Sequence, residues 1–442
     1  MDTRTLLTTD LAALIHPLHH PADHQAPVVF VSGQGAVLRD ADGHEYLDGL
    51  SSLWNVNAGH GRTELAEAAA AQMRNLAFAS AYTGYTNPPA IRLAERLLRV
   101  AYPNLSGVYF TTAGAESNET AFKIVRYFWR RQGRPGKTKV ISRIHGYHGV
   151  TMAAMSATGI PSFHTMFQPV VPGFTHVVPS YPYRYPGSGA AALEEAIMRE
   201  GPDTVAAFIA EPVIGAGGVI PPTPDYFPAV REICDRHHVL FIADEIITGF
   251  GRTGRWFALD HWGVQPDLVT FAKGVTSAYL PLGGVMVSRR VHEAIVQAPM
   301  SERFMHAATY SGHPTCCAVG LANLDIFERE QLVERGAAMG ARLQQKAQSL
   351  RPLPIVGDVR GVGLMCGIEL VADKATKAPA LQVGGKILGE ARRRGLITRI
   401  RTGQAGAHPI GDTICLAPPL VVSEAQIDRM IEILRESITA VA

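Results

Sequence analysis

Between Asp267 and Arg289 the stretch DLVTFAKGVTSAYLPLGGVMVSRR carries a single charge, Lys273. A lysine set among apolar and small residues is costly to keep charged, and two readings follow. It snorkels to solvent or pairs with a carboxylate, or it is a desolvated amine whose pKa falls from about 10.4, making it a nucleophile that forms a Schiff base with a carbonyl. Two carboxylates occupy comparable places: the apolar run VLFIA ends at Asp244 and AAFIA at Glu211, just as LVTFA ends at Lys273. Ligands of open parallel sheets sit beyond the carboxyl ends of the strands. Three ionisable groups at three such ends form a constellation, although any one of them alone fits a paired structural charge.

A Schiff-base lysine with an aspartate suggests pyridoxal phosphate, whose ring nitrogen needs a carboxylate to stay protonated and to draw electrons. Asp244 can supply that carboxylate, or it can cap the turn of DEIITGFGRTG. The phosphate needs a cradle, and TTAGAESNETAFKIVRYFWR offers a strand end, a small-residue turn at Ala113, Gly114 and Ala115, and a helix expected over 116–131 with apolar residues at 121, 124, 125 and 128. Free N–H groups and the dipole at a helix start bind phosphate. Tyr147, in IHGYHG, is an aromatic able to stack on a planar ring or to sit in the core.

Other motifs fail on inspection. RQGRPGKT lacks the first glycine of a phosphate-binding loop, and GVGLMCG lacks the dinucleotide spacing. His16, His19, His20 and His24 are spaced irregularly around Pro17 and Pro21, which favours a surface arm over a metal site. His145 and His148 flank Tyr147 with no neighbouring cysteine or carboxylate in the sequence, so no metal is expected there.

These residues need a scaffold, and 442 residues with 47% hydrophobic and 18% charged side chains suffice for a large core. VVFVSGQGAVLRDADGHEYLDGL reads as a small hairpin sheet. Helical spacing follows in ELAEAAAAQM and PPAIRLAERLLRV. Buried-strand runs then alternate with helices: GVYFTT, KVISRI, TVAAFIAE, a helix near 226–237, VLFIADE, LVTFAKG and GGVMVS. That alternation predicts an α/β fold with a mostly parallel sheet covered on both faces. Helices are expected around 318–348, a strand at GLMCGIEL and a helix at AQIDRMIEIL. The formal charge of +2 leaves no footprint for nucleic acid or an anionic membrane. Five cysteines, odd in number and without a C-x-x-C pair, argue for a reducing compartment. With no secretory signal at the start, the expected location is cytoplasmic.

ADEIITGFGRTG, FAKGVTSAYLPLGG, TTAGAESNETAFK, HGYHGVTMAAMSATG and TYSGHP, in this order of content if not of chain, resemble the class III aminotransferases of the aspartate-aminotransferase fold (pyridoxal-phosphate fold type I). LWNVNAGHGR and GDTICLAPPL resemble the ω-transaminases, which act on primary amines and ω-amino acids with pyruvate as a common acceptor. The resemblance implies a large cofactor-binding domain over 71–329 and a smaller α+β domain from both termini, 1–70 and 330–442. It makes Lys273 the Schiff-base lysine, Asp244 the partner of the ring nitrogen, Tyr147 and Ile246 the residues on the two ring faces, and Gly114 and Ala115 the phosphate turn, with Glu211 beside the cofactor. Thr309 matches a threonine that reaches the phosphate of the neighbouring subunit, which implies a homodimer able to pair into a dimer of dimers. Trp54 and Tyr82 match substrate-pocket positions. Arg399 falls near a mobile arginine that pairs with the substrate carboxylate, with Arg401 an equally basic neighbour. The implied reaction is ping-pong transamination. A decarboxylase or aminomutase on the same scaffold is the alternative, and a nicotinamide oxidoreductase lacks its glycine fingerprint. The donor stays open among β-alanine, taurine, a diamine and an arylalkylamine.

Overall fold

The computed structural model describes residues 3–442 except 19, 21, 23–26 and 188. His19 and His24 therefore lie outside the described residues, while His16 bonds Asp10 at 3.0 Å. Strands β1 (Phe30–Gln34), β2 (Val37–Asp40) and β3 (Glu45–Asp48) form the antiparallel meander expected of the opening segment. Its second turn uses Gly43 at φ 88°, a conformation that glycine adopts without steric cost.

The main sheet contains β4 (Leu105–Thr111), β5 (Lys139–Arg143), β6 (Phe174–Val177), β7 (Val205–Ala210), β8 (Leu240–Asp244), β9 (Leu268–Phe271) and β10 (Gly283–Ser288), in the order β4-β10-β9-β8-β7-β5-β6. Neighbours from β9 to β6 run parallel, and β10 is antiparallel to both β9 and β4. Strands β7 to β10 are buried along their whole length, which is why their sequences are unbroken apolar runs. Successive side chains serve opposite faces. Ile209, Ile242 and Val285 pack under the helix Gly114–Arg131 through Ala121, Ile124, Val125 and Phe128, while Phe208 and Phe241 face the helix Tyr226–Arg236 through Phe227. The short edge strand β6, FTHV, is only partly buried and carries no apolar run to announce it.

The remaining strands are β11 (Val356–Val362), β12 (Met365–Asp373), β13 (Ala378–Pro379), β14 (Leu396–Ile397), β15 (Arg399–Arg401) and β16 (Thr413–Leu416). They build a sheet ordered β11-β12-β16-β15 with β13 on β12, whereas β14 joins the N-terminal meander parallel to β3. Strands from both parts of the chain thus share one sheet. All five cysteines are free and buried, and no helix among the described residues is long and apolar enough to cross a membrane.

One helix boundary differs from expectation. The helix predicted over 116–131 begins at Gly114, because the Glu116 carboxylate reaches back to the Thr112 N–H (2.7 Å) and hydroxyl (2.6 Å), closing an extra turn at the start.

The chain leaving β8 is held by Glu245, a fully buried carboxylate that accepts from Tyr102 Oη (2.6 Å), the Ala258 N–H (2.8 Å) and the Thr248 hydroxyl. Tyr102 Oη in turn accepts from the Leu259 N–H at 2.9 Å. A buried carboxylate deprived of one donor destabilises the fold by about 1.5–3 kcal/mol. Tyr102→Phe is therefore expected to lower the urea midpoint with an unchanged slope; an unchanged midpoint would contradict this role for Glu245.

Candidate active site

The carboxyl ends of β7, β8 and β9 open into one cleft of about 430 Å³, and Glu211, Asp244 and Lys273 all line it. The start of the helix Gly114–Arg131 and the Tyr147 loop after β5 complete the walls. The three residues singled out at strand ends share one site.

Lys273 opens onto the cleft and is otherwise enclosed by protein, and burial pulls its amine from 10.5 down to about 8 against the opposing pull of Asp244 and Glu211. Its backbone sits at φ 46°, a left-handed conformation uncommon outside glycine. Strain of this kind persists where the surroundings fix it. The next residue, Gly274, is one such constraint: a Cβ there would lie 2.6 Å from Asn57 Nδ2 and 2.8 Å from Phe250 Cβ.

Asp244 is 2% exposed yet well supplied with donors. Its Oδ2 accepts from His148 Nδ1 (2.7 Å) and Asn118 Nδ2 (2.9 Å), and Oδ1 accepts from the Ile246 N–H at 3.2 Å. His148 and Asn118 escaped the sequence reading. The absence of a carboxylate near His148 in sequence was misleading, since Asp244 reaches it across the sheet. No spacing signal finds Asn118 either, because it pairs through the tertiary fold with the His148 carbonyl (2.7 Å) as well as with Asp244.

Glu211 takes a different part. Its two oxygens accept from the Tyr147 N–H (2.9 Å) and the Gly215 N–H (2.8 Å), bracing the Tyr147 loop, and burial raises its pKa. Tyr147 borders the cleft with its ring 5.4 Å from that of Phe163. Ile246 lines the cleft and presses against the helix start, where a Cβ on Gly114 would come within 2.8 Å of its side chain. Ala113 caps that helix without a side-chain bond, and Gly114 and Ala115 line the cleft.

The other expected residues divide. Arg399, half-buried on β15, lies close enough for its charge to disfavour protonation of Lys273 and to favour ionisation of Tyr147. Arg401, 5% exposed, is engaged elsewhere: its Nη2 donates to Gln404 Oε1 (2.9 Å) and His145 Nδ1 (3.4 Å), and Nη1 to the Thr402 carbonyl. Trp54 is 1% exposed and packs with Val213 and Ile247 behind the wall formed by Ile247 and its own neighbour Asn55. Tyr82, 48% exposed, and the exposed Thr309 do not line this chain's cleft. They share an outer face, where Tyr310 meets Phe78 at 5.9 Å and a Cβ on Gly312 would sit 3.8 Å from that of Ala81.

The cleft thus presents a desolvated amine, a buried carboxylate held by three donors, and a helix start without a side-chain cap at Gly114. These fit a phosphate-bearing heteroaromatic aldehyde: the helix N–H groups suit the phosphate, the carboxylate a ring N–H, and the amine the aldehyde.

Comparison with known proteins agrees with the geometry. Residues 19–438 match the family described as aminotransferase class-III. The chain is 41% identical to the diaminobutyrate–2-oxoglutarate transaminase of Halomonas elongata over 97% of this chain and 94% of that one, and 39% identical to the putrescine–pyruvate aminotransferase of Pseudomonas aeruginosa over 94% and 91%. Among solved structures, an (S)-enantioselective ω-transaminase from Thermomicrobium roseum superposes with a TM-score of 0.94 at 46% identity, covering 100% of this chain and 99% of that one. The cleft at the carboxyl edge of the main sheet therefore sits in a chain that belongs to the class III aminotransferases, enzymes that depend on pyridoxal phosphate.

Proposed function

We propose that the protein transfers the amino group of a primary amine or ω-amino acid to a 2-oxo acid such as pyruvate, in two half-reactions that use the same cleft in turn. The observation that carries this reading is the amine of Lys273, held near pKa 8 by burial while it lines a cleft shared with Asp244. Bound there, pyridoxal phosphate supplies an aldehyde that holds amines covalently and a ring that accepts the electron pair released at the α-carbon.

The chain's own residues do the rest. The N–H groups at Gly114 and Ala115 would hold the phosphate, Asp244 would face the ring nitrogen, and Tyr147 and Ile246 would confine the ring. His148 and Asn118 fix the carboxylate of Asp244 in place. Lys273 Nζ, displaced by an amine substrate, would accept the proton released at the donor α-carbon and, when the electron pair returns in the second half-reaction, deliver one to the α-carbon of the acceptor. An amine that titrates near 8 does both within reach of neutral pH. The Arg399 guanidinium, for which no hydrogen bond or ion pair is found among the described residues, pairs with the acceptor carboxylate and leaves room when an uncharged donor side chain enters. Trp54 shapes the donor pocket from behind the wall of Asn55 and Ile247, and Tyr82, on the outer face, would shape that of a neighbouring copy. Residues 71–329 carry the cofactor, with 1–70 and 330–442 folding over it, and the exposed face around Tyr82, Thr309 and Tyr310 suits a second copy that brings Thr309 to its partner's phosphate. A homodimer in the cytoplasm follows. The relatives that transfer amino groups to pyruvate or 2-oxoglutarate support this over a decarboxylase or aminomutase.

Three outcomes test it. Lys273→Ala is expected to reduce kcat by at least about 10²–10⁴-fold, the scale of lost acid–base catalysis; full turnover in a purified variant would sink the assignment. In cofactor-free protein, the rate of pyridoxal phosphate capture, followed by absorbance, is expected to rise as pH passes about 8 and then level off, because the free amine is the reacting form; a rate still climbing at the ordinary lysine value would show that the amine is not desolvated. Arg399→Ala removes a charge-assisted bond of about 1.5–3 kcal/mol, so KM for pyruvate is expected to rise roughly 10–100-fold while KM for a carboxylate-free amine stays nearly constant. Equal changes in both would move the carboxylate site away from Arg399.

A further inference from the structure

Arg252 follows β8 by a short loop and is completely buried, yet it forms no ion pair among the described residues. Its Nη1 donates to the carbonyls of Pro418 (2.5 Å) and Leu364 (3.4 Å), and Nη2 donates to Ser51 Oγ (2.8 Å) and Asn57 Oδ1 (2.7 Å). All four acceptors are neutral, and Nε is buried with no partner. A guanidinium in that setting is costly for stability. Its value must lie in what it holds.

One arm holds a strained turn. Ser51, Ser52 and Trp54 have φ values of 49°, 55° and 65°, three left-handed residues within four positions and none of them glycine. Such a turn persists only where its surroundings over-determine it. From one side the buried Asp48 accepts from the Ser52 N–H (2.8 and 2.9 Å) and the Leu50 N–H (3.1 Å). From the other, Arg252 grips Ser51 Oγ, which itself donates to the Ala417 carbonyl at 2.7 Å. The turn delivers Asn55 to the cleft and Trp54 to the packing behind Ile247.

The second arm reaches the reacting amine. Asn57 donates through Nδ2 to the Phe250 carbonyl (2.8 Å) and lies against Gly274, the neighbour of Lys273, with no space for a Cβ between them. A single planar group therefore bridges the turn bearing Trp54 and the backbone bearing Lys273.

We propose that Arg252 is a positioning residue that sets the spacing between Lys273 and the cleft wall at Asn55 and Ile247, which Trp54 backs, and through it the size of amine donor that the cleft accepts. The inference rests on the proposed placement of the donor against that wall. Arg252 touches neither substrate nor cofactor; it acts through Ser51 and Asn57. Loosening the Ser51 arm lets the wall relax, which weakens the hold on a donor large enough to press against it and leaves a small donor unaffected.

The test compares 1-phenylethylamine with 2-aminopropane, each with pyruvate, in the holoenzyme and in Ser51→Ala, Arg252→Lys and Trp54→Ala, together with hydrogen exchange of the amides of 51–55. Ser51→Ala and Arg252→Lys are expected to raise KM for 1-phenylethylamine roughly tenfold while kcat for 2-aminopropane stays within about twofold, a split that a general loss of folded protein does not produce. Exchange across 51–55 is expected to accelerate in both. If Arg252→Lys does not fold, Ser51→Ala decides the matter alone. Should Trp54→Ala alter the preference between the two amines while Ser51→Ala leaves both KM values and exchange unchanged, the wall matters and Arg252 does not set it, which overturns the proposal. Should Trp54→Ala also be silent, the donor does not lie against this wall, and it is the proposed donor site that fails.

Discussion

Everything in the site depends on keeping the amine of Lys273 largely desolvated at the edge of the cleft without neutralising it through a contact ion pair. Two carboxylates are near enough to pull its pKa up, and burial outweighs both of them. A closer carboxylate would have produced a tight ion pair and an inert lysine; a more open cleft would have left an ordinary ammonium. The backbone enforces the compromise. Lys273 is held at φ 46° and its neighbour Gly274 is packed against Asn57 and Phe250, so the side chain leaves the strand end on a fixed path.

Asp244 and Glu211 show how the same side chain type, at the same kind of strand end, is given two parts by its neighbours. Asp244 takes side-chain donors from His148 and Asn118 and keeps a face to the cleft. Glu211 gives both oxygens to backbone N–H groups, and burial raises its pKa. The first offers the cleft a carboxylate fixed by two side-chain donors; the second shapes the loop that carries Tyr147. Behind them Glu245 and Arg252, both fully buried, hold the chain that leaves β8, the one through tyrosine and backbone donors and the other through neutral acceptors. The catalytic edge of the sheet is thus stiffened by buried charges that never meet the substrate.

How much of this the sequence discloses depends on whether a feature is local. Apolar runs that end in Glu211, Asp244 and Lys273 announce buried parallel strands and their carboxyl ends, and the small-residue turn at 113–115 announces a helix start, so the main sheet and the centre of the cleft are legible. His148 and Asn118 are not, because their link to Asp244 spans the sheet, and a histidine between Tyr147 and Gly149 has no signature of a carboxylate partner. Arg399 and Arg401 look equivalent in GLITRIR; the fold separates them, turning Arg401 into the His145 and Gln404 network and leaving Arg399 in the field of Lys273. Arg252 hides in a glycine-rich loop, since its acceptors come from segments near 51, 57, 364 and 418. Tyr82 and Thr309 belong to an outer face, and a single chain's periodicity carries no mark of what covers that face.

The central claim is that a desolvated amine at one strand end is joined covalently to the cofactor's aldehyde. Reduction of the pyridoxal-phosphate-loaded protein with borohydride, followed by proteolysis and mass mapping, tests it most directly. The account predicts one phosphopyridoxyl adduct, on the peptide containing Lys273. An adduct on another lysine, or none, would contradict it.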